Sequence, residues 1–256
     1  MSKRKKFLIS SLVLSLGFVA IQLIDNQYRI FSIVLLSALT AGFFAWSLIE
    51  GLGKNMTLLT LILPTLFTAG VGMFWFLLPV SIYARLPVVV FYGIGIYALG
   101  LTMNIFTVAA IRTIALLRAA RGVGFVLTLV TSFLVYDAII SFKIPFWASS
   151  PLISLFSFPL LLQGFWTIPL EKDYIPSLAS ISLVSSLVIG EVALGLGFWP
   201  VTLVGGSLFL TVAVYILLGL GQATLEQRLF LQTIREYLLV GVVVFAGMLL
   251  ATHWGG

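Results

Sequence analysis

The sequence predicts an all-α, polytopic transmembrane bundle of about nine spans, and three observations carry that reading. Of 256 residues, 61% are hydrophobic, 9% are charged, and mean hydropathy is +1.20. A soluble domain carries roughly 25% charge, so this composition cannot clothe a water-facing surface. Apolar runs of about 20 residues, the length that crosses hydrocarbon as a helix, recur along the whole chain. All the charged residues but Asp137 and Glu191 fall between those runs, as the cost of a charge in hydrocarbon demands.

The first run, 7–24, follows the basic opening Lys3-Arg4-Lys5-Lys6. It exceeds the apolar core of a secretory signal, and no small-x-small cleavage site precedes Asp25, so an uncleaved helix is expected. Runs 30–49 and 56–78 come next, the second carrying Pro64, which would kink or loosen it. Run 86–111 contains YGIGIYALG, whose Gly93, Gly95 and Gly100 allow close helix approach. Run 122–142 holds Asp137. Run 151–170 is the least regular, because Pro159 interrupts SLFSFPLLLQGFW, and it reads as a kinked helix or a re-entrant loop. Run 175–199 holds Glu191, Gly195 and Gly197, and runs 201–221 and 237–254 close the sequence. The connections are too short for a soluble domain, so residues 1–256 read as one integral membrane domain.

Orientation follows from the basic residues. With the N-terminus cytoplasmic, Lys3, Arg4, Lys5, Lys6, Lys54, Arg112, Arg118, Arg121, Lys172, Arg228 and Arg235 face inward, and Arg29, Arg85 and Lys143 face outward. That obeys the positive-inside rule. Trp75, Trp147, Trp199 and Trp254 fall near outer span ends and Trp46 and Trp166 near inner ones, as interfacial belts place them. Nine spans then put the C-terminus outside a bacterial inner membrane. The net charge of +6 is a topology signal and gives no reason to expect a nucleic-acid partner.

The chain has no cysteine and a single histidine, His253. This removes disulfides, thiolate chemistry, iron–sulfur ligation and imidazole-rich metal sites, so no cofactor, metal or catalytic group is expected. Asp137, in LVYDAII, and Glu191, in VIGEVAL, lie at matching depth in the outer halves of two parallel spans. Two carboxylates at one level suit a cation or proton site. They equally suit two separate side chains, each bonded to a hydroxyl of a neighbouring helix. Asn104, Gln163 and Gln22 are the other strongly polar groups inside the runs, and amides there commonly bond across helices. Tyr136-Asp137 resembles the YD of intramembrane aspartyl proteases, but the GxGD of that class is missing and IGEVALGLG stands instead.

Two inner connections offer contacts. RTIALLRAARG presents Arg112, Arg118 and Arg121 among apolar residues, as in a short helix on an anionic leaflet, and its ARG resembles the coupling motifs of energy-coupling-factor permease subunits. QATLEQRLFLQTIRE, with Arg228 and Arg235, reads as an interfacial or extended helix, or as a solvated continuation of the eighth span. Either connection can contact lipid or a protein partner. The junctions FWFLLPVS and FWPVT share orientation and are compatible with a duplication offset by four helices, although their spacings differ by several residues.

The combination NIFTVAAIRTIALLRAARGVGF, LVYDAIISFKIPFW, GEVALGLGFWPVT and REYLLVGVVVFAGML resembles an uncharacterised family of bacterial polytopic membrane proteins without assigned activity. The resemblance implies an all-helical membrane fold and carries over no functional residues. The residues themselves lead to a non-enzymatic, permease-like subunit for a small solute, ion or lipid, with Asp137 and Glu191 as its polar centre. The alternatives are a scaffold or assembly subunit of a membrane complex and an intramembrane enzyme acting on lipid-linked substrates.

Overall fold

The computed structural model describes residues 3–21, 26–48, 54–79, 81–110, 115–171 and 176–252. Arg112, Lys172, His253 and Trp254 lie outside these. Among the described residues there are nine α-helices and no strand: α1 (Lys3–Ile21), α2 (Arg29–Leu48), α3 (Lys54–Leu77), α4 (Ile82–Ala109), α5 (Leu117–Ser141), α6 (Phe146–Trp166), α7 (Pro176–Leu196), α8 (Leu203–Leu225) and α9 (Leu231–Ala251). Eight of them, α2 to α9, contain stretches long and apolar enough to cross a bilayer. In α1 the cations Lys3, Arg4, Lys5 and Lys6 belong to the helix itself, so its apolar part is shorter. The chain is a multi-pass helical membrane protein.

Helix ends differ from the hydropathy boundaries where charge stops an apolar count without stopping a helix. Arg118 and Arg121 occupy the first turns of α5, and Arg235 and Glu236 those of α9. Residues 117–122 of RTIALLRAARG form the start of α5, and the rest of the surface helix expected there falls largely on residues 111–114, outside the described ones. The helix expected over Gln222–Glu236 is broken. Gln227 adopts φ 57°, its N–H bonds to Thr224 O, and the Arg228 N–H reaches back to Ala223 O at 2.8 Å. This paired closure ends α8 in a left-handed residue, and α9 starts four residues later. α6 runs unbroken through Pro151 and Pro159, so the re-entrant alternative is not realised.

The molecule divides into two compact units, residues 1–131 with 170–174, and residues 132–169 with 175–256. In the first, α1 packs on α2 and α4, α2 on α3, and α3 on α4, closing a ring. Glycines let the helices meet: a Cβ on Gly93 would lie 2.8 Å from Ser15 Oγ, and one on Gly100 2.8 Å from Phe7 Cδ1. Hydroxyls bridge the ring, with Ser11 donating to Gly93 O at 2.7 Å and Thr68 Oγ1 lying 3.1 Å from both Thr40 Oγ1 and Tyr92 Oη.

In the second unit α6 packs on α7 and α8, α7 on α8, and α8 on α9. The last ten residues of α5 are tied in by side-chain bonds to α6 and α8. Apart from the peripheral α9, helices α5 to α8 thus repeat the α1–α2, α1–α4, α2–α3 and α3–α4 pairings of the first unit, α5 through its side-chain bonds. The junctions repeat as well: Ser81 and Thr202, each after Pro-Val, cap α4 and α8 by accepting the N–H three residues on, at 3.3 and 3.1 Å. α9 is peripheral, with Met248 its one buried residue.

Candidate functional site

Asp137 lies four residues before the end of α5, in a stretch where Val135, Tyr136, Ala138 and Ile139 are all buried. It is 5% exposed. The Ser207 hydroxyl, from α8, donates to Asp137 Oδ1 across 3.2 Å and has Val204 O as a second acceptor at 3.0 Å. One hydroxyl proton therefore serves two acceptors. No described cation pairs with Asp137. The polar support described for this enclosed carboxylate is the one Ser207 hydroxyl.

Tyr136, fully buried, turns to the other neighbour. Its hydroxyl lies 2.6 Å from Ser157 Oγ, and Ser157 commits its own proton to Ile153 O at 2.6 Å, so the tyrosine is the donor. Adjacent residues of α5 are thus fastened to α6 and α8 respectively. Ser150 on α6 donates to Gly190 O on α7 at 2.5 Å, joining the next pair of helices.

Glu191 follows Gly190 and lies five residues before the end of α7, as Asp137 lies four before the end of α5. The surroundings do not match. Glu191 is on the exposed surface of α7, flanked by exposed Leu187, Val188 and Leu194, whereas Asp137 is enclosed. The two carboxylates meet different environments, and the enclosed one is the site with geometry.

The remaining candidates are spread out. Arg118 is exposed and Arg121 half-buried at the start of α5, Arg228 is exposed in the turn after α8, and Arg235 is exposed on α9. Gln163 on α6 is 1% exposed, and neither its Nε2 nor its Oε1 has a partner, while Gln222 of α8 donates to the neighbouring Gly164 O at 2.9 Å. Asn104 Oδ1 is likewise buried without a partner. Among the described residues no three His, Cys, Asp or Glu side chains come together as metal ligands. Sequence reading placed Arg85 in an outer connection; it is in the first turn of α4 and 7% exposed. Its guanidinium lies 5.1 Å from the centroid of the Trp75 ring on α3, a neighbour that sequence spacing does not reveal.

With that geometry in place, comparison with known proteins adds one finding. The family described as "Protein of unknown function (DUF5656)" matches residues 15–251. The chain belongs to this family. The match runs from α1 to the end of α9 and so includes both units and every polar centre of the DUF5656 chain described above. No curated protein and no solved structure matches it.

Proposed function

We propose that this protein is a non-enzymatic, permease-like membrane subunit handling a small cation, proton or other small solute, with Asp137 as its polar centre. The observation that supports the reading is the enclosed Asp137 carboxylate held by the single hydroxyl of Ser207 from a different helix. The repeated neighbour order of four helices is in keeping with it, since transport folds are commonly built from internal repeats. In this reading the N-terminus is cytoplasmic and the C-terminus outside a bacterial cell membrane. Arg112, Arg118, Arg121, Arg228 and Arg235 then face anionic lipid or a cytoplasmic partner. The deciding experiment is ion flux into reconstituted vesicles: wild type exceeds empty vesicles, and Asp137→Asn abolishes the excess. Unchanged flux in a correctly assembled Asp137→Asn protein ends the proposal, and a reporter fused after Gly256 that is found inside ends the orientation.

A scaffold role is favoured by one different observation, the exposed Glu191 on an otherwise apolar face of α7. Charged side chains within membrane helices normally face protein or water, so a second membrane protein is the natural cover. Purification in mild detergent tests this: a chain that emerges without a stoichiometric partner argues against it.

A further inference from the structure

The first unit carries an unused pair of buried donors. Arg85 stacks its guanidinium over the Trp75 ring, Cζ to centroid 5.1 Å, and is 7% exposed. No described carboxylate pairs with it, and its Nε has no partner. Trp75 is 1% exposed, and its indole Nε1 likewise has no hydrogen-bond partner. The ring is fixed edge-on against Phe18 at 5.3 Å, and Phe18 leans on Tyr92 at 4.8 Å, so the platform under the guanidinium is built from three helices. Leaving such donors unmatched is expensive, more so for a charged group. Both lack the same thing, an acceptor.

Further positive character gathers at this end of the unit. Arg29, the first residue of α2, stacks over Phe76 at 5.0 Å, so consecutive aromatic residues at the end of α3 each carry a guanidinium. Arg85 lies in the first turn of α4, where the free N–H groups favour negative charge. Tyr83, in the same turn of α4, is 89% exposed, as an aromatic side chain at a membrane–water boundary is. A guanidinium stacked on a ring keeps its planar fork of N–H donors free at the edge, the geometry that grips an oxyanion with two bonds.

We infer that Arg85 and Trp75 form a binding site for a phosphate-type oxyanion at the α3–α4 end of the first unit. Arg85 supplies charge and a two-pronged grip, and the indole N–H supplies a further donor. The oxyanion comes either from the headgroup of an anionic phospholipid or from free phosphate, both of which present the same oxygens.

The test uses the full chain and reads the rise in thermal midpoint that a ligand of the folded state produces. One arm compares nanodiscs of phosphatidylcholine with nanodiscs containing phosphatidylglycerol. The other titrates inorganic phosphate against chloride at equal ionic strength. A response in the first arm alone identifies a lipid headgroup, and a response in the second identifies a free anion; either supports the site if it depends on the two donors. Arg85→Gln is expected to weaken binding roughly tenfold or more. Because that variant can fail to fold, Trp75→Phe, which keeps an aromatic platform and removes the N–H, is measured beside it and also weakens binding. The inference is overturned by wild-type protein that responds to neither probe, or by a response that Trp75→Phe and Arg85→Gln leave intact. It is overturned too if Asp25→Asn destabilises the chain and abolishes the effect of Arg85→Gln on stability, since Arg85 would then be serving an internal ion pair.

Discussion

Ser207 of α8 holds the buried Asp137 of α5 through one hydrogen bond of 3.2 Å, although 70 residues separate them in sequence. The bond ties the end of α5 to the start of α8, and it is the carboxylate's polar contact inside the unit. A double-mutant cycle with Asp137→Asn and Ser207→Ala measures it. The expected coupling is about 0.6–2 kcal/mol, the range of side-chain bonds between membrane helices. Ser207→Ala alone destabilises more than Asp137→Asn, because it strands a carboxylate that the asparagine change removes. Equal single effects with no coupling, measured by unfolding in mixed micelles, would show that the bond carries nothing.

Glu191 gives the contrasting case. It is exposed on α7, so removing its charge costs the isolated chain little. Glu191→Leu is expected to change unfolding free energy by no more than about 0.5 kcal/mol, as exposed substitutions do, while Asp137→Leu destabilises by about 2 kcal/mol or more through the loss of its bond and the misfit of a branched side chain. Parallel melts of the two variants check this. A large loss in Glu191→Leu would mean that Glu191 has a role inside the folded chain.

What the sequence could and could not convey follows from how these helices are made. Their existence was legible because each needs about 20 apolar residues, and the nine helices overlap the nine runs. Facing was not legible: the helices are apolar almost all round, so no stripe distinguishes Asp137, which turns inward, from Glu191, which turns outward. Charge normally marks a connection, whereas Arg85 is buried against the Trp75 ring, ten positions earlier on another helix. The end of α8 carries no glycine signal, because Gln227 takes the left-handed position.

The glycines of the helices separate into those at close contacts and those facing open space. A Cβ at Gly95 would fall 2.5 Å from Phe67 Cζ, whereas one at Gly195 meets nothing within 4 Å. Gly95→Ala is therefore expected to destabilise by about 1–3 kcal/mol, the cost of forcing extra volume into a packed core. Gly195→Ala should be neutral or stabilise by up to about 1 kcal/mol, since alanine loses less backbone entropy in a helix. Melting curves of both variants in one detergent make the comparison, and similar losses at the two positions would contradict it.

The turn after α8 offers the last test. Gln227 sits at φ 57° with both closing bonds made, Gln227 N–H to Thr224 O at 3.0 Å and Arg228 N–H to Ala223 O at 2.8 Å. The geometry is favourable and the residue is not, because a side chain in the left-handed region costs about 1–2 kcal/mol. Gln227→Gly removes that strain, and part of the gain is lost to the freer unfolded chain. The expected net is a stabilisation of about 0.5–1 kcal/mol. Gln227→Val should do the reverse, since a β-branched residue tolerates this backbone least. If the glycine variant melts lower than the wild type and the valine variant melts no lower, the strained closure is not what ends α8.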